Sequence, residues 1–184
     1  LLDVKSSEAA LRLVESAGAA AQIWKTGHSH MKKRMKELAA PLAGEMSGHI
    51  FIADDYLGFD DAIYAAVRVI TQMVKGGQSI TEFMDSLPEQ HATPELRIDC
   101  PDTVKFDSME KIRVHVLSGH DAADVNSIDG VRVRSGDGWW LIRASNTEAA
   151  LVARAEAADR TALDRLLGDI ETTLAAAGLD WKRP

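Results

Sequence analysis

Cysteine is nearly absent from this sequence, with Cys100 alone among 184 residues. No intrachain disulfide can form and no cysteine-based metal cage can be assembled, which fits a reducing compartment. A small apolar core role is expected of that one thiol. Long apolar runs are missing as well. Charges interrupt each of them well short of the ~20 residues that a bilayer crossing needs, and the N-terminus has neither the basic nor the apolar region of a secretory signal. The expectation is a soluble protein of the cytoplasm with no membrane partner. Positive charge is also short, since 21 Lys and Arg against 28 Asp and Glu leave a formal net charge of -7. A general nucleic-acid surface would need a basic stripe. The basic cluster "KKRMK" at 32–36 reads instead as a solvated helix face, so any anionic ligand must be met by individually placed cations. What is present is 46% hydrophobic residues without repeats or low-complexity tracts, enough for one good core or two small ones.

The order of patterns predicts two units. "LLDVK" reads as a strand end, "SSEAALRLVESAG" as a helix capped by Ser6 or Ser7 and ended by Gly18, and "AAQIWK" as a strand. His28, Met31, Met35 and Leu38 then recur at helical spacing until Pro41. In "DDAIYAAVRVITQMVKGG" the apolar stripe Ile63, Ala66, Val67, Ile70 and Val74 predicts a helix with that stripe inward, capped by Asp60 and closed by Gly76 and Gly77. This alternation marks a layered α/β domain over residues 1–88. After "LPEQHATPE", "LRIDC" predicts a strand and "DSMEKIRVHVLS" a helix. "GVRVRS", a turn with positive φ at Gly136 and Gly138, and "WWLIRA" predict a hairpin. "AALVARAEA" adds a strand, and the last helix is expected to bury Leu163, Leu166, Leu167, Ile170 and Leu174. Residues 89–184 therefore predict a small α+β domain with an antiparallel sheet.

Three polar stretches fall beside strand ends, where layered α/β folds bind ligands. In "RASNT", Arg143 offers a planar fork of donors, Ser145 and Thr147 hydroxyls, and Asn146 an amide; this is a set suited to an oxyanion, although an ordinary polar turn has the same composition. Arg154 on the next strand would add a second cation or simply face solvent. In "KTGHSH", Gly27 before a helix suits an anion or sugar at the helix N-terminus, with Lys25 or His28 in reach. His30 falls about 200° around that helix from His28, which disfavours a metal site made of His28, His30 and His49. In "GEMSGH", extended-chain spacing puts Glu45, Ser47 and His49 on one side. A carboxylate and a hydroxyl there could read vicinal sugar hydroxyls, or knit two strands together as a buried polar network.

Taken in order, "KTGHS", "GEMSGH", "YLGFDDAIYAA" and "RASNTEAALVAR" resemble the C-terminal half of the α-D-phosphohexomutase superfamily, with GEMSGH closest to its phosphomannomutase/phosphoglucomutase branch. The resemblance covers essentially the whole chain, from part-way into the family's third domain through its fourth. It implies an incomplete α/β layer followed by a domain that is TATA-binding-protein-like in the family. It also implies an isomerase that moves phosphate between O6 and O1 of mannose or glucose through a bisphosphorylated sugar. By motif matching, the sugar-reading loop falls on Glu45, Ser47 and His49, and the phosphate-binding loop on Arg143, Ser145, Asn146 and Thr147. Lys5, His28 and Arg154 fall on positions that line the cleft, with His28 or His49 as possible acid/base groups. The family's phosphoserine loop and its Asp-rich magnesium loop lie in domains this sequence does not contain, so no metal ligand is expected here. The partners implied are hexose phosphates and the missing N-terminal domains. Ala149 stands where the family's loop often has proline. The rival reading is a stand-alone sugar-phosphate-binding module without catalysis.

Overall fold

A computed structural model describes residues 1–183 and divides after Pro88 into two compact units. In the first, β1 (Leu2–Asp3), α1 (Glu8–Ser16), β2 (Ile23–Trp24), α2 (His28–Leu38), β3 (Leu42–Gly44) and β4 (Ile50–Ile52) precede α3 (Ala62–Gly76) and α4 (Ile80–Asp85). The sheet order is β2-β1-β3-β4, with β1 parallel to β2 and β3, and β4 antiparallel to β3. Right-handed crossovers that run in opposite directions from β1 to β2 and from β2 to β3 put α1 and α2 on opposite faces. Register agrees: Ala43 and Phe51 pair across β3 and β4 and pack with Met31 and Met35 of α2. Leu42 and Ile52, the next pair, face the other way.

On that other face the expected packing fails. The stripe Ile63, Ala66, Val67, Ile70 and Val74 points away from the sheet, with Ile63 80% and Val74 78% exposed, and Ala65 is the buried residue of α3. The periodicity is helical as predicted, but its phase gives the smaller side to the sheet. Between sheet and helix lies an open apolar trough of about 660 Å³, lined among others by Leu42, Ile50, Ile52, Val69, Ile80 and Phe83. The cap of α3 is Asp61 rather than Asp60; its carboxylate accepts the Tyr64 N–H and the Tyr56 hydroxyl, and these bonds hold its pKa below the usual value. α4, not anticipated, is opened by a Ser79/Glu82 capping box.

The second unit contains β5 (His91–Ala92), β6 (Leu96–Asp99), α5 (Asp102–Gly119), a short 3₁₀ turn at Ala122–Asp124, β7 (Val125–Asn126), β8 (Val131–Ser135), β9 (Gly138–Ala144), β10 (Ala150–Ala157) and α6 (Arg160–Ala176). The sheet runs β5-β10-β9-β8-β7, with β6 also on β10, and every pairing is antiparallel. α5 starts at Asp102 rather than Asp107, because Pro101 supplies the extended entry and Asp102 the acidic first turn. In the β8–β9 hairpin positive φ occurs at Gly138 and not at Gly136. A Cβ at Gly138 would lie 2.1 Å from the Glu156 carbonyl oxygen, so that position is closed to any side chain.

Alternation sorts this sheet into two faces. Val131, Val133, Trp140, Ile142, Leu151, Ala153 and Ala155 turn toward α5 and α6, where Ile112, Val116, Leu166, Ile170 and Leu174 complete a single core. In α6, Leu163 and Leu167 only flank this core, while Ala162 and Thr173 are buried. Cys100 is fully buried, as expected. Among the described residues no helix is long and apolar enough to cross a membrane.

Candidate functional site

GEMSGH is a hairpin turn, not an extended strand. The Gly48 N–H donates to the Glu45 carbonyl and the Glu45 N–H to the His49 carbonyl, both at 2.9 Å, with Gly48 at φ +89°. Glu45, Ser47 and His49 therefore converge through the turn, not through period-two alternation. Ser47 Oγ lies 3.3 Å from Glu45 Oε2 and 2.9 Å from His49 Nδ1, and His49 Nδ1 lies 3.2 Å from Glu45 Oε2. Glu45 is 8% exposed, and its other oxygen accepts the Gly27 N–H at 2.6 Å. The start of α2 is thus tied to the turn, which brings His28 within 4.3 Å of His49, ring centroid to centroid. His28 Nδ1 also lies 3.4 Å from Asp60 Oδ2. His30 is exposed and takes no part in the His28–Glu45–His49 cluster.

The residue that assembles these loops was not anticipated. Asp3, fully buried, accepts the Ser6 hydroxyl at 2.6 Å, the Thr26 hydroxyl at 3.1 Å and the Met46 N–H at 3.1 Å. One carboxylate thereby joins the end of β1, the "KTGHS" loop and the "GEMSGH" turn. A buried acid is tolerated when its lone pairs are satisfied in this way, and the same bonds fix the turn. Lys5, two residues further on, is also buried. The available signal was Asp3 itself, an acid inside an otherwise apolar strand start.

In the second unit, "RASNT" spans the end of β9 and the turn into β10. Arg143 is buried; its Nε donates to Asp129 at 3.2 Å, while Nη2 is buried and makes no hydrogen bond to a described residue. A buried guanidinium donor without a protein partner is a group that an anion or a water can complete. Ser145 Oγ accepts the N–H groups of Thr147 (3.4 Å) and Glu148 (3.2 Å), so its first task is to shape the turn; Asn146 and Thr147 are exposed. Behind the turn stands Lys105 of α5, 5% exposed, donating to the carbonyls of Ser145 (3.0 Å) and Glu148 (2.9 Å) and paired with Asp102 at 2.5 Å. Lys105 draws two of the loop's carbonyls inward, while the N–H groups of Ser145, Thr147 and Glu148 are already used within the turn.

Register places Arg143, Arg154 and the unanticipated Arg132 and Arg134 on the sheet face away from the helices. The Arg132 guanidinium stacks 3.8 Å over Trp139, and Arg154 lies 3.8 Å from the Glu156 carboxylate. The alternation in "VRVRS" carried that signal. Gly130 holds β8 against this set, because a Cβ there would fall 2.6 Å from Arg143 Cβ. An acidic chain thus presents one local cationic face.

The family model for phosphoglucomutase/phosphomannomutase alpha/beta/alpha domain III matches residues 2–91, and that for the phosphoglucomutase/phosphomannomutase C-terminal domain matches residues 95–173. The chain belongs to the phosphoglucomutase/phosphomannomutase family. A Pseudomonas putida phosphomannomutase/phosphoglucomutase is 42% identical over 95% of this chain, and a Neisseria gonorrhoeae phosphoglucomutase 37% identical over 90%. The matched region is 37% and 36% of those relatives, so the chain spans well under half their length. A crystal structure of a phosphoglucomutase/phosphomannomutase family protein from Burkholderia thailandensis superposes with a TM-score of 0.85 at 36% identity, covering 97% of this chain and 38% of that one. Family membership accounts for the α/β unit followed by an antiparallel one.

Proposed function

We propose that this chain is the sugar- and phosphate-binding C-terminal part of a cytoplasmic phosphomannomutase/phosphoglucomutase that interconverts hexose 6-phosphates and hexose 1-phosphates. The observation that carries the reading is the orphaned Arg143 Nη2, buried beside a turn whose carbonyls are drawn back by Lys105. That geometry suits a phosphate held by a bidentate, charge-assisted contact, with Ser145, Asn146, Thr147 and Arg154 around it. Glu45, Ser47 and His49, with Lys5 and His28, form the sugar-reading half. Their pre-assembly by Asp3 and Gly27 supports it, since hydroxyls would meet acceptors already in place.

A mutase presents O6 and then O1 of its sugar to one reacting centre while the distant phosphate returns to one anion site. Binding at Glu45 and Arg143 would thus act on position rather than on the reacting bond. His28 or His49 would move a proton to or from a sugar hydroxyl. The family's phosphoserine and magnesium ion would supply phosphoryl transfer from the N-terminal domains of the parent protein. These residues do not fit Mg²⁺: among those described, the group able to hold a metal has two imidazoles and one carboxylate, whereas Mg²⁺ demands oxygen ligands. The 184-residue chain alone is therefore expected to bind hexose phosphate without turning it over.

Calorimetric titration of this chain with glucose 6-phosphate tests the reading. Arg143→Ala should weaken binding about ten- to a hundredfold, the equivalent of a charge-assisted hydrogen-bonded contact. Unchanged affinity would remove the phosphate assignment, and robust turnover by the chain alone would remove the division of labour.

A further inference from the structure

His28, Glu45 and His49 converge more closely than hydroxyl recognition demands. One ligand atom from each lies within 4.8 Å of the others, and among the described residues this is the group of side chains so arranged. Glu45 Oε2 and His49 Nδ1 are 3.2 Å apart. Two donors at about 2.0–2.2 Å from a tetrahedral Zn²⁺ are themselves roughly 3.4 Å apart, so an ion fits between them with little movement. The Gly27 N–H holds Oε1 of the same carboxylate and aims Oε2. On the other side, Asp60 Oδ2 stands 3.4 Å from His28 Nδ1. A carboxylate on one ring nitrogen favours the proton there and leaves Nε2 as the metal-binding atom, the usual outer arrangement around a metal-bound histidine. Both imidazoles are close to half exposed, which gives an ion its entry path and leaves a fourth position for water. Ser47 Oγ lies 2.9 Å from His49 Nδ1, and turning it about χ1 would clear that nitrogen for an ion.

We infer that His28, Glu45 and His49 form a site for a transition-metal dication, Zn²⁺ in the first instance, and that the bound ion blocks the sugar-reading turn. The first half stands on geometry alone. The second rests on the sugar-reading role proposed above, because the ion would occupy Glu45 Oε2 and His49, the atoms offered to hydroxyls. Two imidazoles and a carboxylate select Zn²⁺ and the other late first-row dications, Co²⁺, Ni²⁺ and Cu²⁺, against Mg²⁺, so the ion that serves the parent reaction would not occupy this site. Zinc would then act as a reversible brake on sugar binding.

Calorimetry of the purified chain with zinc chloride, alongside magnesium chloride at the same concentration, tests this directly. One Zn²⁺ should bind per chain, with no matching Mg²⁺ signal. His28→Ala and His49→Ala, both at half-exposed positions, should each weaken Zn²⁺ by more than about tenfold, and Asp60→Asn by about tenfold, with circular dichroism unchanged. Cobalt(II) bound in place of zinc should give ligand-field absorption that Glu45→Gln alters. No stoichiometric zinc, or zinc affinity unmoved by both histidine substitutions, overturns the site. Zinc that binds as expected, yet leaves glucose 6-phosphate affinity unchanged, overturns the brake while the site stands; Glu45→Gln titrated with glucose 6-phosphate in the absence of zinc decides the sugar-reading role separately, weakened binding keeping it and unchanged binding overturning it.

Discussion

Residues of the second unit enclose Trp140, Ile112, Leu166 and Ile170 completely between one sheet face and two helices, whereas the first unit gathers Met31, Met35, Ala43 and Phe51 on one side of its sheet and leaves Leu42, Ile63, Ile70 and Val74 in solvent. The contrast separates two ways of holding a binding loop. In the second unit the "RASNT" turn is clamped by a closed core and by one buried lysine. In the first, a polar hub at Asp3 does the work that the half-open apolar packing does not. Apolar burial contributes about 25 cal/mol per Å², so the first unit should be the less stable of the two.

The largest effects should come from breaking the closed core. Leu166→Ala should destabilise the second unit by about 2–5 kcal/mol, and hydrogen exchange should show residues 1–88 keeping their protection. Equal loss in both units would mean that they fold as one. Lys105→Met leaves two loop carbonyls without their donor, at about 1–3 kcal/mol each if they stay buried. It should also weaken inorganic phosphate binding, with partial rescue by Lys105→Arg; rescue of stability without rescue of binding would reduce Lys105 to a structural role.

Val67→Lys with Ile70→Lys should change stability by no more than about 0.5 kcal/mol, because both side chains already meet solvent. The double variant should also self-associate less in sedimentation. A cost above 1 kcal/mol would show the stripe to be buried in solution, and the comparison between units would weaken.

The smallest effects are in pH, and they have opposite signs. Asp61, in the first unit, has its pKa lowered by the Tyr64 N–H and the Tyr56 hydroxyl, so its stabilisation is present above the unfolded-state pKa and disappears as pH falls through the folded value. Asp169, in the second, has its pKa raised by burial. Its charge therefore costs stability at neutral pH, and that cost vanishes once pH falls below the unfolded-state value. Asp61→Ala should lower the Tm by more at pH 7 than in acid, where the protonated carboxyl still caps α3, whereas Asp169→Asn should raise it at pH 7 and lose its effect in acid. Melting curves at both pH values check the two signs.

Every helix but α4, the β8–β9 hairpin and the ordered polar turns were legible because each is written within a few residues: a cap, a glycine, an alternation. The phase of α3 was not, since an apolar stripe states that a helix has a hydrophobic side but not that the sheet will receive it. The convergence of Glu45, Ser47 and His49 was read correctly through the wrong geometry, a strand in place of a turn. Asp3 and Lys105 escaped because the partners that tie them to the binding turns lie 40 or more residues away, Met46 for one and Ser145 and Glu148 for the other. Local patterns carry no record of such pairings.

The central claim, two half-sites with separate tasks, is tested most directly by amide NMR of the 184-residue chain titrated with two ligands. Inorganic phosphate should shift resonances of residues 143–148 and leave 45–49 unmoved, while glucose 6-phosphate should shift both sets. Shifts at 45–49 with phosphate alone, or none at 143–148 with either ligand, would contradict the account.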